Sequence, residues 1–298
     1  MVLCMLGYNL TYKEEKKGES KMDKSEIIEE LAKRGYRVAM KEIVKNGVVF
    51  DGIEIVDGNP ISLIICAEKL IEVAEKERKS VSEMVDLVVQ EYEKHRTVKS
   101  NIDQFLNKEF VISHVYIGIQ KKSAENIEKK PCELDGLESY LYIRYEKSGK
   151  RYSVKLSPDL LKTVGVDIKE LWSRAQDNTF SETKVESVAW LLAESGNMSF
   201  REAEMEMKSE FPKLYVVFNK IKYRGASAIL NKAALRDFAK KHGVNKLFVM
   251  PSSIHEMLIM PYDNNINLDD LSGMVAEVNG MKVEPEERLT NRAYLIEV

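Results

Sequence analysis

The residue types best suited to chemistry fall in one short stretch. Ser252, Ser253, His255 and Glu256 bring two hydroxyls, an imidazole and a carboxylate within five residues. A serine activated by an imidazole, itself oriented by a carboxylate, is the arrangement of nucleophilic hydrolysis. His255 and Glu256 are neighbours, so on a strand they face opposite ways, and an orienting acid has to come from elsewhere in the chain. The serines also lack the Gly-x-Ser-x-Gly elbow that exposes a nucleophile. The architectural reading is that the hydroxyls cap free backbone amides and His255 satisfies a turn. For catalysis the architectural reading is the stronger; for ligand binding the two are closer.

The flanking runs decide how these groups are held. Leu247–Met250 and Met257–Met260 read as two strands folded back on one another. Pro251 cannot donate to a ladder and ends the first of them. Around this pair the final third reads strand, helix, strand, strand, helix, strand. Leu214–Phe218 is the first strand. The helix over Ala233–Lys241 turns Ala234, Leu235, Phe238 and Ala239 inward and stops at His242-Gly243. Asn267 caps a helix bearing Leu268, Leu271, Met274, Val275 and Val278, and Arg292–Val298 closes the chain as a strand.

Upstream, Asp23 and Glu26 form a capping box that opens a helix bearing Ile27, Ile28 and Leu31. Strands over Tyr36–Val44 and Val48–Val56 join at Asn46-Gly47, a strong hairpin signal. A turn at Asp57-Gly58 returns Ile61–Cys66 as a third strand. Ser80 and Glu83 cap a helix carrying Val81, Met84, Val85, Val88 and Tyr92 on one stripe, with His95 in its last turn. Phe110–Ile119 reads as a strand containing His114. Strands over Ser139–Tyr145 and Arg151–Leu156 flank a turn at Ser148-Gly149, with Tyr140 and Tyr142 on one face. Ser157-Pro158 and Asp167 with Glu170 open two further helices. Thr183 with Glu186, and Ser199 with Glu202, read as two more capping boxes, the second heading Phe200, Ala203, Met207 and Phe211. The expected class is α+β, with antiparallel sheets packed by amphipathic helices in two lobes. The lobes are 22–180 and 181–298, the second carrying the Pro251–Glu256 motif. Residues 1–21 are expected to be a disordered, non-native extension: Met1–Gly7 is apolar without the basic start or cleavage site of a signal peptide, Tyr12–Lys24 is a polar tract that cannot bury a core, and Met22 is a candidate native start.

The segment Leu-Phe-Val-Met-Pro-Ser-Ser-Ile-His-Glu at 247–256 resembles a bacterial family of unknown function. The Asn46-Gly47 hairpin, the Ser80–Tyr92 helix, Glu277-Val-Asn279 and Pro285-Glu-Glu287 agree with it. The likeness covers nearly all of the chain from Met22. It implies a cytoplasmic setting, often linked to mobile elements, and carries no activity with it.

Composition excludes several classes. Apolar residues make up 44% of the 298 and charged ones 31%, ordinary for a soluble globular protein. The net charge of -3 gives no global field for nucleic acid. Cys4, Cys66 and Cys132 are odd in number and far apart, which points to a reducing compartment without disulfides. No apolar run is long enough for a membrane span. The four histidines are scattered and no metal-ligand spacing, Walker loop or dinucleotide fingerprint occurs, so no metal or cofactor is expected. A local bias remains: between Lys213 and Lys246 nine Lys/Arg stand against Asp237 alone. Lys232, Arg236 and Lys240 form one helical stripe and are candidates for binding an anion. The acid-rich segment from Asp263 onward is placed to neutralise them.

The reading is therefore a cytoplasmic, non-catalytic protein that binds a protein or small-molecule partner. The alternatives are a hydrolase-like enzyme using Ser252 or Ser253 with His255, and a nucleic-acid accessory protein using the basic stripe. Binding to DNA or RNA is expected to be weak or absent in a low-salt filter or anisotropy assay. Affinity that falls steeply with added salt would reverse that expectation.

Overall fold

The computed structural model describes residues 2–4, 23–57, 62–96, 102–147, 150–194, 196, 198–210 and 214–298. The turn residues Gly58, Ser148 and Gly149, together with Phe211 and Met22, lie outside them. The chain divides into two compact units, Met1–Asn107 and Lys108–Val298. No described helix is long and apolar enough to cross a membrane.

The first unit is built on a local meander. Strand β1 (Val2–Cys4) falls within the stretch expected to be an extension. Helix α1 (Lys24–Lys33) opens with the reciprocal Asp23–Glu26 capping box and buries Ile27 and Leu31. Strands β2 (Val38–Lys45) and β3 (Val48–Ile55) pair antiparallel through Asn46 and Gly47, whose φ values of 48° and 79° fit a two-residue hairpin turn. Strand β4 (Ser62–Cys66) returns along β3, and β1 runs parallel to β4. Helices α2 (Ala67–Glu77), α3 (Val81–Arg96) and α4 (Ile102–Leu106) follow. Ser80 and Glu83 exchange the two bonds of a capping box at the head of α3. Val85, Val88 and Tyr92 of α3 meet Ile27, Leu31, Ile53 and Ile55 in one apolar cluster.

The second unit holds two sheets. Helix α5 (Lys108–His114) runs into strand β5 (Val115–Lys121), so His114 ends a helix instead of lying in a strand. Its ring stacks on Phe110 at 4.1 Å, and Nδ1 lies 3.0 Å from the Phe110 carbonyl, a local helix-terminus arrangement that the apolar alternation concealed. Strands β6 (Lys129–Pro131), β7 (Leu137–Lys147) and β8 (Lys150–Lys155) complete a four-stranded antiparallel sheet. In it β7 pairs with β5, β6 and β8. Helix α6 (Pro158–Val164) is capped by Ser157, and α7 (Ile168–Phe180) by Asp167.

The five-stranded sheet comes next. Strand β9 (Thr183–Ser187) occupies the segment expected to open a helix. The Thr-x-x-Glu signal is overridden because these residues pair with β10 along their whole length. Helix α7 packs on β5 and β9 joins the second sheet, both inside the unit Lys108–Val298. Helices α8 (Val188–Glu194) and α9 (Phe200–Glu210) lead to β10 (Tyr215–Asn219). A 3₁₀ segment (Gly225–Leu230), α10 (Lys232–Lys241), β11 (Lys246–Pro251), β12 (Glu256–Pro261), α11 (Leu268–Lys282) and β13 (Tyr294–Glu297) follow. The strand order is β13-β11-β12-β10-β9.

Both faces of this sheet are covered, which explains the unbroken apolar run of β11. Leu247 and Val249 face a core shared with Ile119 and Leu137 of the other sheet and with Leu235 and Phe238 of α10. Phe248 and Met250 face Leu271 and Val275 of α11. On α11, Met274 and Val278 are exposed and Asn279 is buried in their stead. Its carboxamide donates to the Thr290 carbonyl and to Asn291 Oδ1, so a polar side chain fills a core position by meeting its hydrogen bonds there.

The sheets also depend on a missing side chain at Gly118. A Cβ there would stand 2.5 Å from Cζ of Tyr140, its cross-strand partner. Gly118→Ala is expected to cost roughly 1–3 kcal/mol by overpacking, measured as a lowered urea midpoint with unchanged slope.

Candidate functional site

The two apolar runs fold as expected. In β11 and β12, Leu247 pairs with Pro261 and Pro251 with Met257, leaving residues 252–255 as the corner between them. The corner is closed by its own hydrogen bonds. The Ser253 amide donates to the Glu256 carbonyl, and the His255 amide donates to Ser253 Oγ at 3.0 Å. Ser253 is buried. Ser252 Oγ reaches Glu256 Oε1 at 3.4 Å.

Two other segments meet this corner. After β10, Asn219 folds the chain back by accepting from the Tyr223 amide and donating to the Tyr223 carbonyl. The turn so made places Lys222 and Arg224 in the left-handed region, at φ 52° and 50°. For residues bearing a Cβ this costs roughly 1–2 kcal/mol each, so the geometry is held by its bonds. Gly225 comes next, pressed between backbones. A Cβ there would lie 2.6 Å from the Asn219 nitrogen and 2.6 Å from the His255 carbonyl oxygen. The second segment is the stretch after α11, where the Glu287 carbonyl accepts from the Ile254 amide at 2.9 Å.

The imidazole of His255 joins the two segments. Nδ1 accepts from the Arg224 amide at 3.2 Å, and Nε2 lies 3.2 Å from Glu287 Oε1. A backbone amide can only donate, so Nδ1 carries no proton and Nε2 carries the hydrogen directed at Glu287. The carboxylate from elsewhere is therefore present. The serines, however, are bonded to the His255 amide and to Glu256, and neither ring nitrogen is bonded to a hydroxyl.

The side chain of Arg224 extends to the four-stranded sheet. Nη1 donates to the Tyr140 hydroxyl and Nε to the Tyr223 hydroxyl at 3.3 Å. The guanidinium carbon stands 5.7 Å from the ring of Tyr142 and 5.5 Å from that of Tyr223, within cation–π range. Tyr140 and Tyr142 are fully buried with centroids 6.0 Å apart. Burial pushes both phenols above their ordinary range, so they stay neutral hydrogen-bonding groups. Beyond them, Lys155 lies over the Tyr140 ring and bonds Glu125 at 2.5 Å and Gln120 at 2.7 Å. Burial lowers the Lys155 ammonium, with Glu125 opposing the shift.

The basic stripe separates in three dimensions. Lys232 is ion-paired with Glu133. Arg236 is exposed, with Nε on the Lys232 carbonyl, and Lys240 is exposed one turn further on. Neighbouring cations are paired too, Lys222 with Glu194 and Lys246 with Glu297. Of these three acids, Glu297 alone comes from the acid-rich tail expected to neutralise the patch. Among the described residues no cluster of three His, Cys, Asp or Glu could hold a metal ion.

Sequence reasoning missed Arg224, Tyr223 and Glu287. The Tyr140–Tyr142 alternation marked the right face, and Arg224-Gly225 between a strand and a helix was the remaining local signal.

Fold and site together define an α+β protein whose second unit closes a polar corner between two antiparallel sheets. The chain belongs to the family of unknown function DUF5688, whose model matches residues 21–297. No curated protein and no solved structure matches it.

His255→Ala strands the Arg224 amide and is expected to cost roughly 1–3 kcal/mol. Gly225→Ala is expected to cost as much or more, because the obstructing atoms are backbone. Urea unfolding checks both. An unchanged midpoint for His255→Ala would make the corner a working site rather than a structural junction.

Proposed function

We propose that the protein is non-catalytic and acts by binding a partner, with the Pro251–Glu256 motif serving as the joint that holds its second unit in shape. The observation that carries this reading is the bonding of His255. Both ring nitrogens are engaged, one by a backbone amide and one by a carboxylate, so the imidazole has no nitrogen left to take a serine proton. A general base has to lie within hydrogen-bond reach of the proton it abstracts. The setting we propose is the bacterial cytoplasm, in a context linked to mobile elements. Its support is the resemblance of residues 247–256 and the presence of unpaired cysteines at 66 and 132.

The hydrolase reading keeps one favourable feature, the Glu287 carboxylate on the imidazole. An assay panel of ester, peptide and phosphoester substrates separates the two. Purified protein is expected to show no turnover above that of Ser252→Ala and Ser253→Ala. Turnover abolished by either serine variant, with the unfolding midpoint retained, would establish catalysis.

A further inference from the structure

A sheet edge stands open away from the corner. Strand β13 is an outer strand of the five-stranded sheet, and among the described residues it pairs with β11 alone. The Val298 amide donates to the Asn245 carbonyl at 3.1 Å, which continues the register of β11 and β13 by one pair. Hydrogen-bonded pairs alternate in an antiparallel ladder. Tyr294 and Ile296 therefore bond to β11, and Ala293, Leu295 and Glu297 turn their backbone groups to the open side.

One of these outward groups is met by a hydroxyl. Ser272 Oγ of α11 accepts from the Ala293 amide at 2.9 Å. Among the described residues no acceptor meets the amides of Leu295 and Glu297. The opposite edge of the sheet differs. Strand β9 carries Lys184 and Glu186, charges of the kind that discourage a further strand, whereas Leu295 and Ile296 stand at the centre of β13.

A cleft of about 550 Å³ lies along this open edge. It is lined by Leu268, Asp269 and Ser272 at the head of α11, by Glu133 and Leu134, and by residues 291–296. Leu295 is opposite Phe248, so its side chain shares the sheet face that carries Leu268, and it is 41% exposed. Glu133 is paired with Lys232 and Arg292 with Asp135. Among the described residues Asp269 is therefore the charge in the lining without a counter-charge.

From this geometry we infer that the cleft takes an extended peptide segment of a partner protein, added to the five-stranded sheet as a further strand beside β13. Backbone groups at strand spacing are matched by another backbone in the same conformation. The peptide backbone meets the amides and carbonyls of Leu295 and Glu297. Apolar side chains at alternate positions enter the cleft, against Leu268 and Leu295 on one face and Leu134 on the other, and a lysine or arginine meets Asp269. The length of the edge favours a peptide over a second copy of the chain. Its four residues span roughly 13 Å, a short contact for two folded chains, whose stable interfaces bury roughly 1,200–2,000 Å². This site deepens the reading of the protein as a binder and rests on it.

The test is selection from a random heptapeptide display library on the immobilised full chain, followed by fluorescence anisotropy of the enriched peptides, capped at both ends. Enriched sequences are expected to alternate apolar residues and to carry lysine or arginine. N-methylation of every second peptide amide is expected to weaken binding by roughly tenfold or more in the frame whose amides face β13, and to spare it in the other frame. Leu295→Pro removes an outward amide without touching the β11 ladder and is expected to weaken binding as much. Asp269→Asn leaves the backbone unchanged and is expected to weaken binding at low salt more than at high salt. It keeps the site testable if Leu295→Pro fails to fold. No enriched peptide, tolerance of N-methylation in both frames, or full affinity in either folded variant would each overturn the site. A concentration-dependent dimer in sedimentation, lost in Leu295→Pro, would assign the edge to a second copy and overturn the peptide as its occupant. The binder reading itself is decided by the turnover assays, so a chain that shows neither peptide binding nor turnover loses this site alone.

Discussion

One residue, Arg224, joins the two sheets of the second unit, and it does so with both its backbone and its side chain. Its amide is fixed on the imidazole of His255, at the corner of the five-stranded sheet. Its guanidinium is fixed on Tyr140, in the four-stranded sheet. These two directions are compatible only while the backbone at Arg224 is left-handed and Gly225 lies flat against Asn219 and His255. The corner residues follow from that requirement. Pro251 ends β11, Ser253 holds the turn, and the imidazole supplies an acceptor at the distance where the Arg224 amide needs one. A hydrophobic side chain at 255 would leave that amide unmet.

The partners of Arg224 show how a guanidinium is kept in a partly buried place. Its hydrogen-bond acceptors are phenol oxygens, and the remaining contacts are tyrosine faces. An ion pair with a carboxylate gains more Coulomb energy but has two charges to desolvate. Neutral phenols require the desolvation of one charge only, and the ring quadrupoles return part of that cost. Lys155 shows the other solution close by, with Glu125 and Gln120 as its partners on the same sheet face. The phenol of Tyr140 lies between these two cations, and its burial keeps it un-ionised and able to serve both.

What was legible in the chain was what is decided within a few residues. The Asn46-Gly47 turn, the Asp23, Ser80 and Ser199 capping boxes and the strands on either side of Pro251 are set by short-range rules, and they form as expected. Thr183 and His114 mark the limit of that reading. A Thr-x-x-Glu segment caps a helix only when no strand is waiting to pair with it, and β10 was waiting. Phe110 and His114 satisfy a helical spacing as well as an alternating one, and stacking between their rings decides for the helix. The site was legible in part. Its centre was marked by unusual residue types close together, but the partners of His255 lie 31 and 32 residues away in sequence. Nothing local in Tyr223-Arg224 or Glu286-Glu287 signals that they converge on an imidazole.

Charge shows the same division between sequence and space. The basic bias between Lys213 and Lys246 looks like one surface when read along the chain. In the fold, Arg224 turns inward to phenols, and Lys222, Lys232 and Lys246 each find an acid on a different element. Exposed pairs of this kind contribute little to stability, roughly 0–1 kcal/mol each, but they flatten the local potential that a nucleic acid would sense. Lys121 and Arg288 have the opposite history. They lie far apart in sequence, and the fold brings them to the wall of one cleft. Linear charge counts therefore do not say which charges meet, and that becomes visible only when the fold has set residues from distant segments side by side.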